Sequence, residues 1–175
     1  MKELEAHIGQ MATGDPAGLE AFYNRTRTAV YGLALSILRR KEDAEDVMHD
    51  SYLRVYEGAS GYRARGKPMA WLLRITRNLA LDKLRGQPAR ELSLEEEWLP
   101  DLKSDFSEAS LDQMVLQTVL SRLSVEERQI VILHSVEGFK HREIAQIMDM
   151  PLGTALSKYH RALSKLRKML EEEEK

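Results

Sequence analysis

The chain has 175 residues, 26 Lys or Arg against 28 Asp or Glu, a net charge of −2 and no cysteine. The lack of cysteine excludes disulfides, thiolate metal sites and thiol catalysis, and the near-neutral net charge argues against a uniformly basic nucleic-acid coat protein. Met1 to Gln10 does not resemble a signal peptide and no apolar run is near membrane-spanning length, so we expect a cytoplasmic protein with no membrane insertion.

The first half of the chain has the apolar spacing of helices, and no alternating β-branched run predicts a sheet. We predict helices over Pro16 to Leu38, about Asp43 to Glu57, and Pro68 to Gly86, with a glycine-rich loop over Gly58 to Gly66. The predicted inward faces are Leu19, Phe22, Tyr23, Val30, Leu33, Ala34 and Ile37 on the first helix, and Ala44, Val47, Met48, Tyr52, Leu53 and Tyr56 on the second.

The second half begins after an acidic stretch. Residues 91–112 hold eight acids against Lys103 alone and contain Pro100, which predicts a linker. Ser124 and Glu127 form a capping box at the start of a helix that ends at Gly138. A helix, a tight turn at Asp149 to Pro151 and a second helix follow, which is the pattern of a helix-turn-helix. The predicted fold is therefore all-α, with two small helical domains joined by an acidic linker.

The last helix has two faces. Its apolar stripe is Leu152, Ala155, Leu156, Tyr159, Leu163, Leu166 and Leu170, and its polar face is Thr154, Ser157, Lys158, Arg161, Lys165 and Lys168. Leu152 to Leu170 contains five Lys or Arg, one His and no acid, which suits the DNA major groove. The alternative is an amphipathic helix with a solvated basic face.

A second basic segment precedes the linker. Residues 63–90 hold eight Lys or Arg against Asp82 alone, with Tyr62 and Trp71 among them. Cations neutralise phosphates and aromatic rings stack on unpaired bases, so this mixture is typical of single-stranded DNA binding. The alternative for Trp71 is packing with Leu72 and Ile75. His134 and His141 lack metal-ligand spacing and no catalytic motif is present, so we expect no metal, no cofactor and no enzyme activity.

Four segments together resemble the extracytoplasmic-function (ECF) sigma factors, which are bacterial transcription initiation factors. Asp43 to Tyr56 resembles their region 2.2, Trp71 to Arg85 resembles regions 2.3 and 2.4, and Leu123 to Leu133 with Glu143 to Thr154 resembles region 4. The resemblance implies region 2 over residues 1–90, a linker over 91–112 and region 4 over 113–175. It also implies promoter DNA and core RNA polymerase as partners, through the β′ clamp coiled coil and the β flap, and often an anti-sigma factor.

The resemblance assigns three groups of residues. Polymerase binding falls to Glu45, Asp46, His49 and Asp50, with Asp43 left to cap the helix; the alternative is that these acids serve capping alone. Recognition of the −10 element falls to Tyr62, Arg63, Arg65, Lys67, Trp71, Arg74 and Asn78, although Asn78 could instead bond within its own domain. Recognition of the −35 element falls to Thr154, Ser157, Lys158, His160, Arg161 and Lys165, with Lys158 where the family often has Arg.

Two other classes of protein remain open from the residues. A stand-alone regulator would bind an operator as a dimer through the helix-turn-helix, without polymerase. A helical adaptor would bind only protein, and would leave both basic segments without a role.

Overall fold

A computed structural model of the chain describes residues 2–64, 66–86 and 118–173. The first half contains α1 (Lys2–Ala12), α2 (Pro16–Leu38), α3 (Lys41–Gly58), a 3₁₀ turn (Ala59–Gly61) and α4 (Pro68–Gly86). The second half contains helical residues 118–121, then α5 (Val125–Val131), a π-helical turn (Ile132–Val136), α6 (His141–Ile147) and α7 (Leu152–Glu173). No strand occurs in these ranges, and the predicted all-α, two-domain fold is confirmed. The predicted linker, residues 91–112, lies outside the described residues.

The boundaries of α2 and α4 are those predicted from the sequence. Asp15 caps α2, since its side chain accepts a hydrogen bond from the Ala17 amide at 3.0 Å. Helix α1 was not predicted, although Leu4, Ile8 and Met11 have helical spacing, and the latter two are buried.

Asp43 does not cap α3, contrary to the prediction. The chain leaves α2 through Arg39, whose φ of 58° is left-handed, and re-enters a helix at Lys41, so Arg40 occupies the N-cap position. Asp43 therefore lies inside the first turn. Its carboxylate is 3.1 Å from the Lys83 ammonium and 3.6 Å from the Arg40 guanidinium.

The core of the first half lies around α2, against which α1, α3 and α4 all pack. Phe22, Val30 and Leu33 are fully buried, as predicted. Leu53 and Tyr56 are exposed by 49% and 40%, contrary to the predicted stripe, and Val55 is buried instead. Helix α3 packs against α2, α4 and the 3₁₀ turn, so the side chains it buries do not follow one apolar stripe read from the sequence.

The second half builds the predicted helix-turn-helix. The capping box is present, with Ser124 Oγ accepting from the Glu127 amide and Glu127 Oε2 accepting from the Ser124 amide. Left-handed residues mark the two bends, Gly138 at φ 72° and Asp149 at φ 54°. The apolar stripe of α7 is narrower than predicted: Ala155 and Ala162 are buried, but Leu152, Leu163 and Leu170 are 38–44% exposed. Two seven-residue helices, α5 and α6, cannot cover a 22-residue helix along its whole length.

The two halves pack against each other. Helix α2 contacts α5 and the π-helical turn, and α4 contacts α6. Their buried side chains form one continuous apolar cluster. No helix in the described ranges is long and apolar enough to span a bilayer.

Candidate nucleic-acid interface

A cavity of about 410 Å³ opens between the end of α3, the 3₁₀ turn and α4. Helix α4 contributes one of its faces, because Trp71, Ile75 and Asn78 recur at helical spacing. Tyr62 contributes from the chain after the turn. Three residues predicted to bind the −10 element, Tyr62, Trp71 and Asn78, are thus brought together around one opening.

The aromatic pair has a defined geometry. The Tyr62 and Trp71 rings lie 4.7 Å apart between centroids and are tilted by 45°. A Cβ at Gly58 would meet the Trp71 ring at 3.4 Å, an ordinary van der Waals contact, so the ring lies close to the end of α3. Both aromatic residues are partly buried and both line the cavity, which fits a dual role in packing and in binding.

The basic residues predicted for the same site take different directions. Arg63 and Lys67 are exposed on the segment between Tyr62 and α4, while Arg65 lies outside the described residues. Arg74 faces the second half, where its Nη2 is 3.4 Å from Asp149 Oδ2. Its neighbour Arg77 donates to Gln129 Oε1 at 2.9 Å, and burial there lowers the pKa of its guanidinium.

The predicted polymerase-binding residues lie on the outer side of α3. Glu45, Asp46, His49 and Asp50 are all exposed. Asp46 already accepts a hydrogen bond from Lys83 at 2.7 Å, so part of its charge is neutralised within the domain. Glu45 and His49 share a helical row with the exposed Leu53 and Tyr56. The surface is therefore acidic at one end and apolar at the other, a mixture that favours a protein partner over water alone.

The outer face of α7 carries the predicted duplex-reading residues. Ser157, His160 and Arg161 are exposed and Thr154 is half-buried. The Ser157 hydroxyl donates to the Gly153 carbonyl at 2.8 Å and the Arg161 Nε donates to the Ser157 carbonyl at 3.3 Å. Ser164 and Lys168, also exposed, extend the same helical row.

Two predicted members of that face turn back onto α5. Lys158 Nζ lies 2.6 Å from Glu126, and Lys165 Nζ lies 2.8 Å from both carboxylate oxygens of Glu127. Burial opposes ionisation of Glu127, but hydrogen bonds from Lys165 and Ser124 outweigh it and hold its pKa below the usual range. Lys165 thus balances the charge of the capping box.

Sequence reasoning missed a notch between α6 and the start of α7. Arg142, Gln146, Asp149 and Leu152 line this cavity of about 400 Å³. Arg142 is exposed at the first turn of α6, beside the helix that carries the duplex-reading residues. The next residue, Glu143, accepts a hydrogen bond from the Lys140 amide at 2.9 Å, and this cap at the start of the helix-turn-helix is the sequence signal that would have found Arg142.

His134 and His141 are adjacent despite their spacing in the chain. Their rings lie 4.1 Å apart, and the Tyr159 ring closes the group at 4.8 and 4.7 Å from the two histidines. Burial, followed by the neighbouring His134 and His160, lowers the pKa of His141. Within the described parts of the chain, no group of three or more His, Cys, Asp or Glu is arranged to hold a metal ion.

Comparison with known proteins gives matches in both halves. The family model for sigma-70 region 2 matches residues 22–90, and the model for sigma-70 region 4 matches residues 113–166. The ECF RNA polymerase sigma factor SigK of Mycobacterium ulcerans is 30% identical, over 97% of this chain and 94% of its own length. SigM of Mycobacterium tuberculosis is 29% identical, over 95% and 82%.

Solved structures share the fold. CnrH, solved in complex with the cytosolic domain of CnrY, superposes with a TM-score of 0.73 at 20% identity over 97% of both chains. The sigma factor RpoE of Bartonella quintana, solved with the anti-sigma factor NepR, superposes with a TM-score of 0.71 at 22% identity, over 87% of this chain and 96% of its own.

Proposed function

We propose that this chain, which belongs to the extracytoplasmic-function RNA polymerase sigma factors, reads a promoter with two separate surfaces. It is a transcription initiation factor that binds core RNA polymerase and directs it to specific promoters. In the proposal, residues 1–90 dock on the polymerase and hold the melted −10 element, residues 91–112 form the linker, and residues 113–175 read the −35 element. The chain then acts as a DNA-binding regulator and not as an enzyme, in the cytoplasm beside its polymerase.

The cavity beside Trp71 is the observation that carries the −10 assignment. An opening walled by two aromatic rings and the Asn78 amide offers stacking surfaces and a polar group to a single unpaired base. The exposed cations Arg63 and Lys67, on the segment that follows Tyr62, would meet phosphates. Duplex DNA cannot present a base in this way, so the site favours a melted strand.

The −35 assignment rests on the outer face of α7. Ser157, His160 and Arg161 are exposed together in the first half of the helix, where a docked helix approaches base edges. Lys158 and Lys165 are bound to Glu126 and Glu127, so we give them a supporting electrostatic role. Arg142, in the notch beside α7, joins the set of candidate contacts.

Polymerase docking is assigned to the outer side of α3. Glu45, His49 and Asp50 supply acceptors and charge, and the exposed Leu53 supplies apolar area on the same side. The linker, with eight acids, would follow a basic channel of the polymerase as a charge mimic of nucleic acid. An anti-sigma factor is a further proposed partner, supported by the RpoE fold neighbour crystallised with NepR.

One binding experiment separates this function from that of a stand-alone regulator. A promoter is recovered from random DNA with the reconstituted holoenzyme, and its affinity is measured for the free chain and for the holoenzyme. We expect tight, specific binding only with core enzyme, and loss of it in His49→Ala/Asp50→Ala but not in Glu20→Ala, an exposed acid on α2. Specific binding by the free chain, unaffected by core enzyme, would favour the regulator.

A further inference from the structure

Helix α1 is anchored firmly to the first domain. Ile8 and Met11 are buried against α2, and the two helices cross at Gly18. A Cβ at Gly18 would lie 2.7 Å from both the Gln10 Cβ and the His7 carbonyl oxygen, so only glycine permits this approach. The polar residues of α1 are therefore held in fixed positions relative to the rest of the domain.

One of these residues reaches the rim of the cavity. Glu5 Oε1 accepts a hydrogen bond from the Gly66 amide at 2.7 Å and a longer one from the Tyr62 hydroxyl at 3.3 Å. Gly66 has a φ of 69°, which marks the bend by which the chain turns towards α4. A single carboxylate oxygen thus joins two points of the segment between the 3₁₀ turn and α4.

The bonds of Glu5 continue into the proposed −10 site. Tyr62, which donates to Glu5, packs its ring on Trp71 at 4.7 Å, and both rings line the cavity. Glu3 lies two residues earlier on α1, and its carboxylate pairs instead with Arg25 on α2. Glu3 therefore joins α1 to α2, whereas Glu5 of the same helix holds the cavity rim.

We propose that Glu5 is a positioning residue of the −10 site: it fixes the rim so that Tyr62 supports Trp71 before DNA arrives. The proposal rests on the proposed function of this cavity. The exposed Arg63 and Lys67 are in the same segment, and a carboxylate close to phosphate-binding cations weakens DNA binding. Glu5 therefore acts as a hydrogen-bond acceptor, although its negative charge disfavours DNA binding.

Two substitutions of Glu5 have different expected effects. Glu5→Gln keeps an acceptor oxygen and removes the charge, so promoter opening should equal or exceed that of the wild type. Glu5→Ala removes the acceptor, so run-off transcription from a duplex promoter should fall about five- to tenfold, as expected for one or two lost hydrogen bonds. The Glu5→Ala variant should also lose preference between matched and substituted −10 bases. A promoter with a pre-melted −10 region should restore part of the transcription that Glu5→Ala loses.

Glu3→Ala is the matched control, since it removes an acid and an ion pair from the same helix. Its transcription and base preference should stay within twofold of the wild type, and thermal unfolding should show all variants folded at the assay temperature. In a Trp98→Phe background, acrylamide should quench Trp71 more strongly in Glu5→Ala than in Glu5→Gln or Glu3→Ala.

Three results would overturn the proposal. In the first, Glu5→Ala keeps the base preference and the Trp71 quenching of the wild type. In the second, Glu3→Ala loses as much transcription and base preference as Glu5→Ala. The third is an equal gain of transcription in Glu5→Gln and Glu5→Ala, which would mean that Glu5 acts only through repulsion between its charge and the DNA. Failure of the proposed function looks different, because the wild-type protein itself would then direct no transcription, and the quenching difference would still report whether Glu5 holds the rim.

Discussion

Arg74 on α4 and Asp149 in the turn before α7 form an ion pair between the two domains, with 3.4 Å from guanidinium to carboxylate. Arg74 belongs to the surface proposed to hold the −10 strand, and Asp149 precedes the helix proposed to read the −35 duplex. In this arrangement the two DNA surfaces are joined to each other. A promoter carries its two elements at separate positions on the DNA, so under the proposed assignments this pair would open when both are read.

Asp149→Asn should strengthen binding of single-stranded −10 DNA to the free protein. Asn tolerates the left-handed φ of 54°, so the turn is kept while Arg74 is released. The pair is exposed and worth at most about 1 kcal/mol, which corresponds to an increase in affinity of about two- to fivefold. Fluorescence anisotropy with a labelled non-template oligonucleotide measures the change.

Glu171→Gln is the control for that measurement, because it removes the same charge from the Arg167 ion pair at the far end of α7. It should change affinity less than Asp149→Asn. Equal effects of the two substitutions would mean that net charge, and not the release of Arg74, sets the affinity.

Lys165→Met should destabilise the second domain. The substitution leaves the carboxylate of Glu127, whose side chain is 7% exposed, without its ammonium partner, and an unpaired buried acceptor costs about 1–3 kcal/mol or more when charged. Lys168 is exposed in the row of Ser157, Arg161 and Ser164, so Lys168→Met should leave stability unchanged and lower the salt slope of duplex binding by about 0.9. Urea unfolding and salt-dependent DNA binding of both variants test this prediction. It would be contradicted if Lys168→Met lost stability and Lys165→Met changed only the salt slope.

Stability should fall as the pH drops below neutral, through His141. Burial lowers the folded-state pKa of His141 from its ordinary 6.5, with His134 and His160 adding repulsion. The unfolded chain therefore binds a proton that the folded chain resists, so stability is retained above about pH 6.5 and lost as the pH falls towards the folded pKa. His141→Phe, which keeps a ring against Tyr159, should flatten unfolding free energy between pH 7.5 and 5.5.

His49→Gln removes a histidine from the exposed side of α3 and should keep the wild-type pH slope. If the free energy of unfolding of His141→Phe depended on pH as steeply as that of the wild type, His141 would not be the source of the pH dependence. The measurement is urea unfolding at several pH values, monitored by circular dichroism.

Much of the fold was predictable because its signals are local. Pro68 at a helix start, the Ser124 and Glu127 capping box and the residues of α2 act through neighbouring residues, and periodicity detects them. Periodicity does not say which flank of a helix a partner occupies. Lys158 and Lys165 were assigned to the DNA face, and their acidic partners on α5 appear only in the folded chain.

Only part of the arrangement of the candidate site was predictable from the sequence. Tyr62, Trp71 and Asn78 do meet around one cavity, while Arg74 of the same predicted set faces the other domain. Glu5 was beyond reach, because its partners are Tyr62 and Gly66, 57 and 61 residues away along the chain. The proximity of His134 and His141 likewise depends on the bend at Gly138.

Run-off transcription with purified core RNA polymerase and a genome-wide set of DNA fragments tests the central claim most directly. We expect the wild-type chain to start transcription at a discrete set of fragments that share a −35 and a −10 element. Arg161→Ala should weaken dependence on the −35 element, and Trp71→Ala should weaken dependence on the −10 element. No initiation from any fragment, or initiation that ignores both substitutions, would contradict the account.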